Sequence, residues 1–225
     1  YIEARAPGGL TGAAIMLPKV SVGATENLMM AACLARGETM ITNAACEPEV
    51  LDLAHCLIKM GACIEGAGTD SIWVSGVDRL GGAKHKVLPD RIETATYAIA
   101  AAITGGTLDL IGTRLDLIRA VADKFRAVGI ELTIRENGVR VKHVGNRLEA
   151  VNIQTRPYPG FPTDMQAQMM ALMTVTEGVS IITENIFENR FMHVTELARM
   201  GADISVKGNS AMVRGVSRLR GAPVM

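Results

Sequence analysis

A mixed α/β (α+β) fold assembled from three copies of one βαβαββ unit is predicted by three observations. First, prolines follow apolar residues at Leu17-Pro18, Leu88-Pro89 and Phe161-Pro162, and successive prolines lie 71 and 73 residues apart. Second, each proline is followed by an apolar helix-like segment, a glycine (Gly37, Gly106, Gly178), a short strand, a second helix and a second glycine (Gly61, Gly129, Gly201). The paired glycines are 24, 23 and 23 residues apart. Third, each copy closes with a hairpin and an Arg-Leu pair, at Arg79-Leu80, Arg147-Leu148 and Arg218-Leu219. Self-similarity at one period marks a repeated supersecondary unit. Strand-helix-strand links favour parallel pairing with right-handed crossover, and each closing hairpin adds an antiparallel pair.

In the first copy a strand over 13–16 runs into Pro18 and the loop Lys19-Val20-Ser21-Val22-Gly23, and a helix over 25–36 packs Leu28, Met29, Ala32 and Cys33. Strand 39–42 leads through Glu47-Pro48, with proline in the first helical turn, to a helix over 49–60. Its Val50, Leu53, Ala54, Leu57 and Ile58 keep helical spacing. Strands near 63–64 and 72–75 flank a turn at Gly68-Thr69-Asp70. The second copy begins with a strand at Val87, followed by helix 92–103, strand 107–111, helix 116–128 and strands 131–135 and 139–144. Asn137-Gly138 signals the hairpin because both residues tolerate positive φ. The third copy reads as strand 151–155, helix 164–176, strand 179–183, helix 191–200 and two strands around Gly208-Asn209.

With 225 residues and 48% apolar content the chain can bury a substantial core. Its 23 basic and 23 acidic residues balance, unlike the basic footprint of a nucleic-acid binder. The longest apolar runs, 29–35 and 97–103, are far too short to span a bilayer, and no signal peptide is visible. Four cysteines, Cys33, Cys46, Cys56 and Cys63, have spacings of 13, 10 and 7, which fit neither a zinc knuckle nor a CxxC pair. Reduced thiols in a cytoplasmic protein are expected. No metal site or cofactor is expected either, since His55, His85, His143 and His193 are scattered with no HExxH motif. Both ends read as cut, so a piece of a longer enzyme is expected.

The proline-to-glycine interval is 19 residues in the first copy against 17 and 16 in the others, and the added residues fall in Lys19–Gly23. A lysine, a serine and a glycine before a helix suit an anion, because exposed amides and the positive helix end converge there. A solvated lysine before a serine-capped helix is the plainer alternative. Asp90 with Glu93, and Thr163 with Gln166, fit capping boxes. Asp164 at a first helical position is also favoured by the helix dipole, so the pattern alone leaves capping and catalysis both open. Residues 184–193 form a polar, aromatic-bearing loop where binding groups collect, or a turn with a surface salt bridge. Met165, Met169, Met170 and Met173 recur on one helix as core filler.

Four strings, Lys19-Val-Ser-Val-Gly-Ala-Thr25, Leu88-Pro-Asp-Arg-Ile-Glu-Thr94, Phe161-Pro-Thr-Asp-Met-Gln-Ala-Gln168 and Phe187-Glu-Asn-Arg-Phe-Met-His193, closely resemble the bacterial UDP-N-acetylglucosamine enolpyruvyl (1-carboxyvinyl) transferases in order and spacing. The resemblance spans nearly the whole chain. It implies two inside-out α/β barrel domains, each of three βαβαββ units, around an active-site cleft. Residues 1–87 would end one domain and 88–225 would supply two units of the other. The implied reaction moves the enolpyruvyl group of phosphoenolpyruvate to the 3-hydroxyl of UDP-N-acetylglucosamine and releases phosphate, the first committed step of peptidoglycan synthesis.

By the same resemblance Lys19, Val20, Ser21, Val22 and Gly23 hold the UDP diphosphate, and Asp164 contacts the acceptor hydroxyl and takes its proton. Ile186 contacts the sugar nucleotide through its backbone. Asp90 and Arg190, with Glu47, line the cleft near phosphoenolpyruvate. The family's reactive-cysteine loop, its N-terminal lysine and asparagine, and its phosphoenolpyruvate-binding arginines have no counterpart in these residues. An inactive isolated chain is therefore expected, and for a true fragment oligomerisation or poor solubility. Two alternatives are kept: the related enolpyruvylshikimate phosphate synthase, and a catalytically silent module that binds a nucleotide sugar.

Overall fold

A computed structural model describes residues 3–143 and 147–224. The chain divides into two compact units, Tyr1–Leu88 and Pro89–Met225. In the first, β1 (Ala14–Met16), α1 (Val22–Ala32), β2 (Glu38–Thr42), α2 (Pro48–Lys59), β3 (Cys63–Glu65) and β4 (Ser71–Ser75) follow in order. The sheet order is β1-β2-β4-β3, with β1 parallel to β2 and the remaining pairs antiparallel. Side-chain alternation places the buried face: Ile72 and Val74 point inward while Trp73 is 46% exposed. Val50, Ala54 and Leu57 of α2, one helical face, close on Met29, Cys33 and Ile41. All four cysteines are free thiols.

The second unit contains α3 (Arg91–Ile103), β5 (Thr107–Ile111), a 3-10 turn at Leu115–Ile118, α4 (Arg119–Val128), β6 (Ile130–Arg135) and β7 (Gly138–His143). There follow β8 (Ile153–Gln154), a 3-10 turn at Thr163–Met165, α5 (Gln166–Met173), β9 (Val179–Thr183), α6 (Val194–Arg199), β10 (Asp203–Lys207) and β11 (Ser210–Arg214). The β8-β9-β11-β10 sheet repeats the order and sense of the first unit's sheet, with β8 parallel to β9. The β5-β7-β6 sheet is antiparallel throughout. One core joins both repeats here. Met165, Met169, Met170 and Met173 are fully buried in it with Phe125, Val141, Ile182 and Val213, so the methionine-rich helix is core, as its spacing implies.

Three expectations are corrected. No strand forms at Val87: the Leu88 N–H donates to Asp52 Oδ2 (3.4 Å), and the His85 ring lies 3.1 Å from the same carboxylate, so α2 occupies this segment. The second copy is therefore αβαββ among the described residues. The β6–β7 turn is Glu136-Asn137, one residue earlier than Asn137-Gly138, because Gly138 pairs with Arg135. Gly138 passes so near β5 that a Cβ would sit 2.0 Å from the Leu110 carbonyl oxygen. The helices also shift. Ser21 caps α1, which starts three residues before the expected 25, and the predicted helix over 191–200 shrinks to Val194–Arg199. Val144, the end of the expected strand 139–144, lies outside the described residues. No helix among the described residues is long and apolar enough to cross a membrane.

Candidate functional site

In the first unit Ser21 Oγ accepts the Ala24 N–H (3.3 Å), and the Thr25 N–H donates to the Ser21 carbonyl (3.0 Å). The Val22 and Gly23 amides precede that first intrahelical bond and belong to the unsatisfied set that every helix start presents. Exposed Lys19 and Val20 lead into them, and nothing stands within 4 Å of a Cβ at Gly23. The Lys19–Gly23 segment is thus both the capped helix start and an open amide end beside a lysine. The capped helix start expected of Ser21 forms.

Thr25, fully buried, ties this end to the loop before α2. Its Oγ1 donates to the Ser21 carbonyl (2.8 Å) and accepts the Ala45 N–H (2.9 Å). Glu47 follows, 8% exposed, with Oε2 lacking a hydrogen-bond partner among the described residues. Glu26 is held above its ordinary carboxyl pKa, first by burial and then by the charges of Glu49 and Glu47. The N-terminal end of α1 therefore has an acidic neighbour.

In the second unit Asp90 caps α3, accepting the Ile92 N–H (2.7 Å) and the Glu93 N–H (3.0 Å) through Oδ1. The capping box expected at Thr163 and Gln166 is absent. Thr163 donates its hydroxyl to Glu184 Oε2 (2.8 Å), and the Gln166 side chain, in a residue 1% exposed, has no hydrogen-bond partner among the described residues. The Gln166 N–H donates instead to the Thr163 carbonyl, and the Thr163 hydroxyl is held between Glu184 and Arg190. Asp164 caps nothing either. Its Oδ1 accepts from Arg190 Nη2 (2.7 Å), and the pair stays open to solvent, with side chains 52% and 36% exposed.

Arg190 is held on three sides. Nη1 donates to Thr163 Oγ1 (2.7 Å), Nη2 holds Asp164, and the guanidinium lies 5.1 Å from the Phe187 ring centroid. The loop after β9 thus carries the salt bridge that the plainer reading expected, and the bridge reaches the residue singled out for catalysis. A cleft of about 680 Å³ opens beside the pair, lined among others by Thr163, Gln166, Met192, His193 and Glu196. Burial, and then the Arg190 charge, push the His193 imidazole below its ordinary pKa of 6.5.

The folded state therefore favours neutral His193, and the stability linked to that preference is complete above the unfolded value and lost as pH falls through it. His193→Gln should flatten the fall in the urea midpoint between about pH 7.5 and about pH 5.5. An undiminished fall in the variant would show that the imidazole does not carry it.

Asp164, Arg190 and the Ile186 backbone come together around Glu184, a residue the sequence reading did not single out. Its signal was present: alternation along β9 puts Ser180, Ile182 and then Glu184 on the buried face. Among the described residues Asp90 has no hydrogen bond or ion pair with the Asp164 group. The Lys19–Gly23 segment and Glu47 belong to the first unit.

The EPSP synthase (3-phosphoshikimate 1-carboxyvinyltransferase) family model matches residues 2–225. Among curated relatives, the UDP-N-acetylglucosamine 1-carboxyvinyltransferase of Rhodospirillum centenum is 62% identical and that of Azorhizobium caulinodans 60%. Each alignment covers all of this chain and 52% of the relative. The chain thus spans about half the length of the curated relatives it matches. Among solved structures, the enolpyruvyl transferase NikO from Streptomyces tendae superposes with a TM-score of 0.75 at 24% identity, covering 86% of this chain and 46% of that one. That likeness gives the fold alone, the mixed α/β architecture described above. Matched from its second residue to its last, the chain belongs to the EPSP synthase (3-phosphoshikimate 1-carboxyvinyltransferase) family.

Proposed function

We propose that these residues form part of a UDP-N-acetylglucosamine 1-carboxyvinyltransferase, which moves the enolpyruvyl group of phosphoenolpyruvate to the sugar 3-hydroxyl and releases phosphate. The observation that carries this reading is an identity of 57–62% along the whole chain with relatives of that name. The same names weigh against shikimate 3-phosphate as acceptor and against a silent binding module. Residues 1–87 end one barrel domain, and 88–225 contribute two repeats to the second. The four free thiols support a cytoplasmic setting, and the product would enter cell-wall synthesis.

In this reading the acceptor hydroxyl approaches Asp164, whose Oδ2 has no hydrogen bond among the described residues while Oδ1 is held by Arg190. The hydroxyl becomes strongly acidic only as its oxygen bonds to the enol carbon. Proton transfer to Asp164 and bond formation are therefore coupled. Arg190 fixes the carboxylate in line and places positive charge in the cleft beside the phosphate-bearing substrate. The Val22 and Gly23 amides with Lys19 receive the diphosphate. Ile186 offers its backbone to the sugar nucleotide, Asp90 caps the start of α3, and Glu47 stands at the start of α2.

The test is phosphate release from phosphoenolpyruvate by the full-length protein, with UDP-N-acetylglucosamine or shikimate 3-phosphate as acceptor. Release with the sugar nucleotide alone is expected. Release with shikimate 3-phosphate, or with neither, would overturn the reading. The isolated 225-residue chain, which spans about half the length of the relatives it matches, should be silent.

A further inference from the structure

We infer that Glu184 is a positioning residue for the reaction at Asp164: its buried carboxylate orients the Thr163 hydroxyl and the 184–187 turn, and through them the Arg190 guanidinium. The inference rests on the functional reading above. Glu184 is 3% exposed. Its Oε1 accepts from the Thr155 hydroxyl (2.8 Å), the Ile186 N–H (2.8 Å) and the Phe187 N–H (3.2 Å), and its Oε2 accepts from the Thr163 hydroxyl (2.8 Å). Four donors converge on one side chain, an arrangement that only a carboxylate can satisfy in full.

Directionality carries the argument. A threonine hydroxyl has one hydrogen to donate, and Thr163 gives it to Glu184, so its lone pairs are left for Arg190 Nη1 at 2.7 Å. With Nη1 fixed there, Nη2 meets Asp164 Oδ1. The second path runs through the backbone. Accepting the Ile186 and Phe187 amides folds the turn so that the Phe187 ring underlies Arg190, and it sets the Ile186 peptide that faces the sugar nucleotide. Thr155, the residue after β8, closes the network: its hydroxyl oxygen accepts the Asn185 N–H (2.8 Å), and its carbonyl accepts from Asn185 Nδ2 (3.2 Å). The carboxylate touches no reacting atom. It determines where the group that holds the base points.

Glu184→Gln keeps the volume but turns one acceptor into a donor. With Oε1 kept by the three donors it already serves, the amide nitrogen faces Thr163, whose hydroxyl must then accept from it and turn its hydrogen away. Thr163→Val removes the same link without altering the buried acid. Misplacing a reacting group by about 1 Å can cost about 100-fold in rate, so in the full-length protein both variants should lower kcat by about 10-fold to about 100-fold. KM for phosphoenolpyruvate should change far less.

Thr163→Ser, which retains the hydroxyl, should recover most of the rate lost by Thr163→Val. Because both residues act through one chain of hydrogen bonds, the double variant Glu184→Gln/Thr163→Val should be no slower than the worse single variant. Each rate is normalised to the folded fraction from thermal melting, and Thr163→Val keeps the test open should Glu184→Gln fail to fold. A wild-type kcat in Thr163→Val, no recovery by serine, or multiplicative losses in the double variant would overturn the positioning role alone. Absence of phosphate release from the wild-type protein would overturn the functional reading and this inference with it.

Discussion

Asp164→Asn in the full-length protein is expected to lower kcat by about 100-fold to about 10,000-fold, the span of a lost general base. Its affinity for UDP-N-acetylglucosamine should stay within about 3-fold of wild type, since uniform binding and transition-state stabilisation separate in kcat and KM. Asparagine preserves the side-chain shape and leaves a carbonyl oxygen where Oδ1 accepts from Arg190 Nη2. The geometry of Thr163, Arg190 and Phe187 therefore has no steric reason to change. What is lost is the basic oxygen and the negative charge beside the guanidinium. Calorimetric titration with the sugar nucleotide and single-turnover phosphate release together decide the matter. A kcat within about 3-fold of wild type would place the base elsewhere, whereas a parallel collapse of binding and rate would make Asp164 a ligand-holding residue instead.

The repeat was legible because its punctuation is local. The glycines that end the second helices, Gly61, Gly129 and Gly201, all take positive φ (103°, 98° and 93°), a conformation dictated by the residue itself. Where long-range partners decide the outcome, local signals failed. Thr163 and Gln166 carry a good capping box, yet a glutamate 21 residues away takes the threonine hydroxyl. His85–Leu88 has strand-like residues, but Asp52 on α2 engages it first. At the candidate site, pattern alone left Asp164 divided between capping and catalysis. No spacing rule could show that Arg190, 26 residues on, would claim the carboxylate and leave it open to solvent. Asp90 shows the converse: its capping role needs only its own first turn, and it forms as the pattern implies. Glu184 was visible as an acid on the buried face of β9, but its four partners come from three separate segments.

Gly215→Ala is expected to cost about 3 kcal/mol of folding stability, the upper part of the usual range for overpacking, because the obstacle is backbone rather than a yielding side-chain tip. A Cβ at Gly215 would lie 1.6 Å from the Thr176 carbonyl oxygen and 2.8 Å from its carbon. The approach cannot be relaxed by moving one side chain, since neighbouring bonds lock both segments. The Gly215 N–H donates to the Gly178 carbonyl (3.1 Å), and the Val216 N–H donates to the Thr174 carbonyl at the end of α5 (2.7 Å). The first unit repeats the device. Gly76 would place a Cβ 1.6 Å from the Ala35 carbonyl oxygen, and its N–H donates to Gly37 as Val77 donates to Cys33. Each crossing pins the strand that ends a repeat to the turn leaving that repeat's first helix. In the second unit that helix is α5, whose opposite end follows the Asp164 turn. Urea unfolding should show a lower midpoint for Gly215→Ala with an unchanged denaturant slope, while Gly221→Ala, with nothing within 4 Å of its Cβ, should change stability by less than about 1 kcal/mol. Equal midpoints for the two variants would mean that the crossing can open without cost. The close approach would then be a consequence of the fold rather than one of the contacts holding the repeat together.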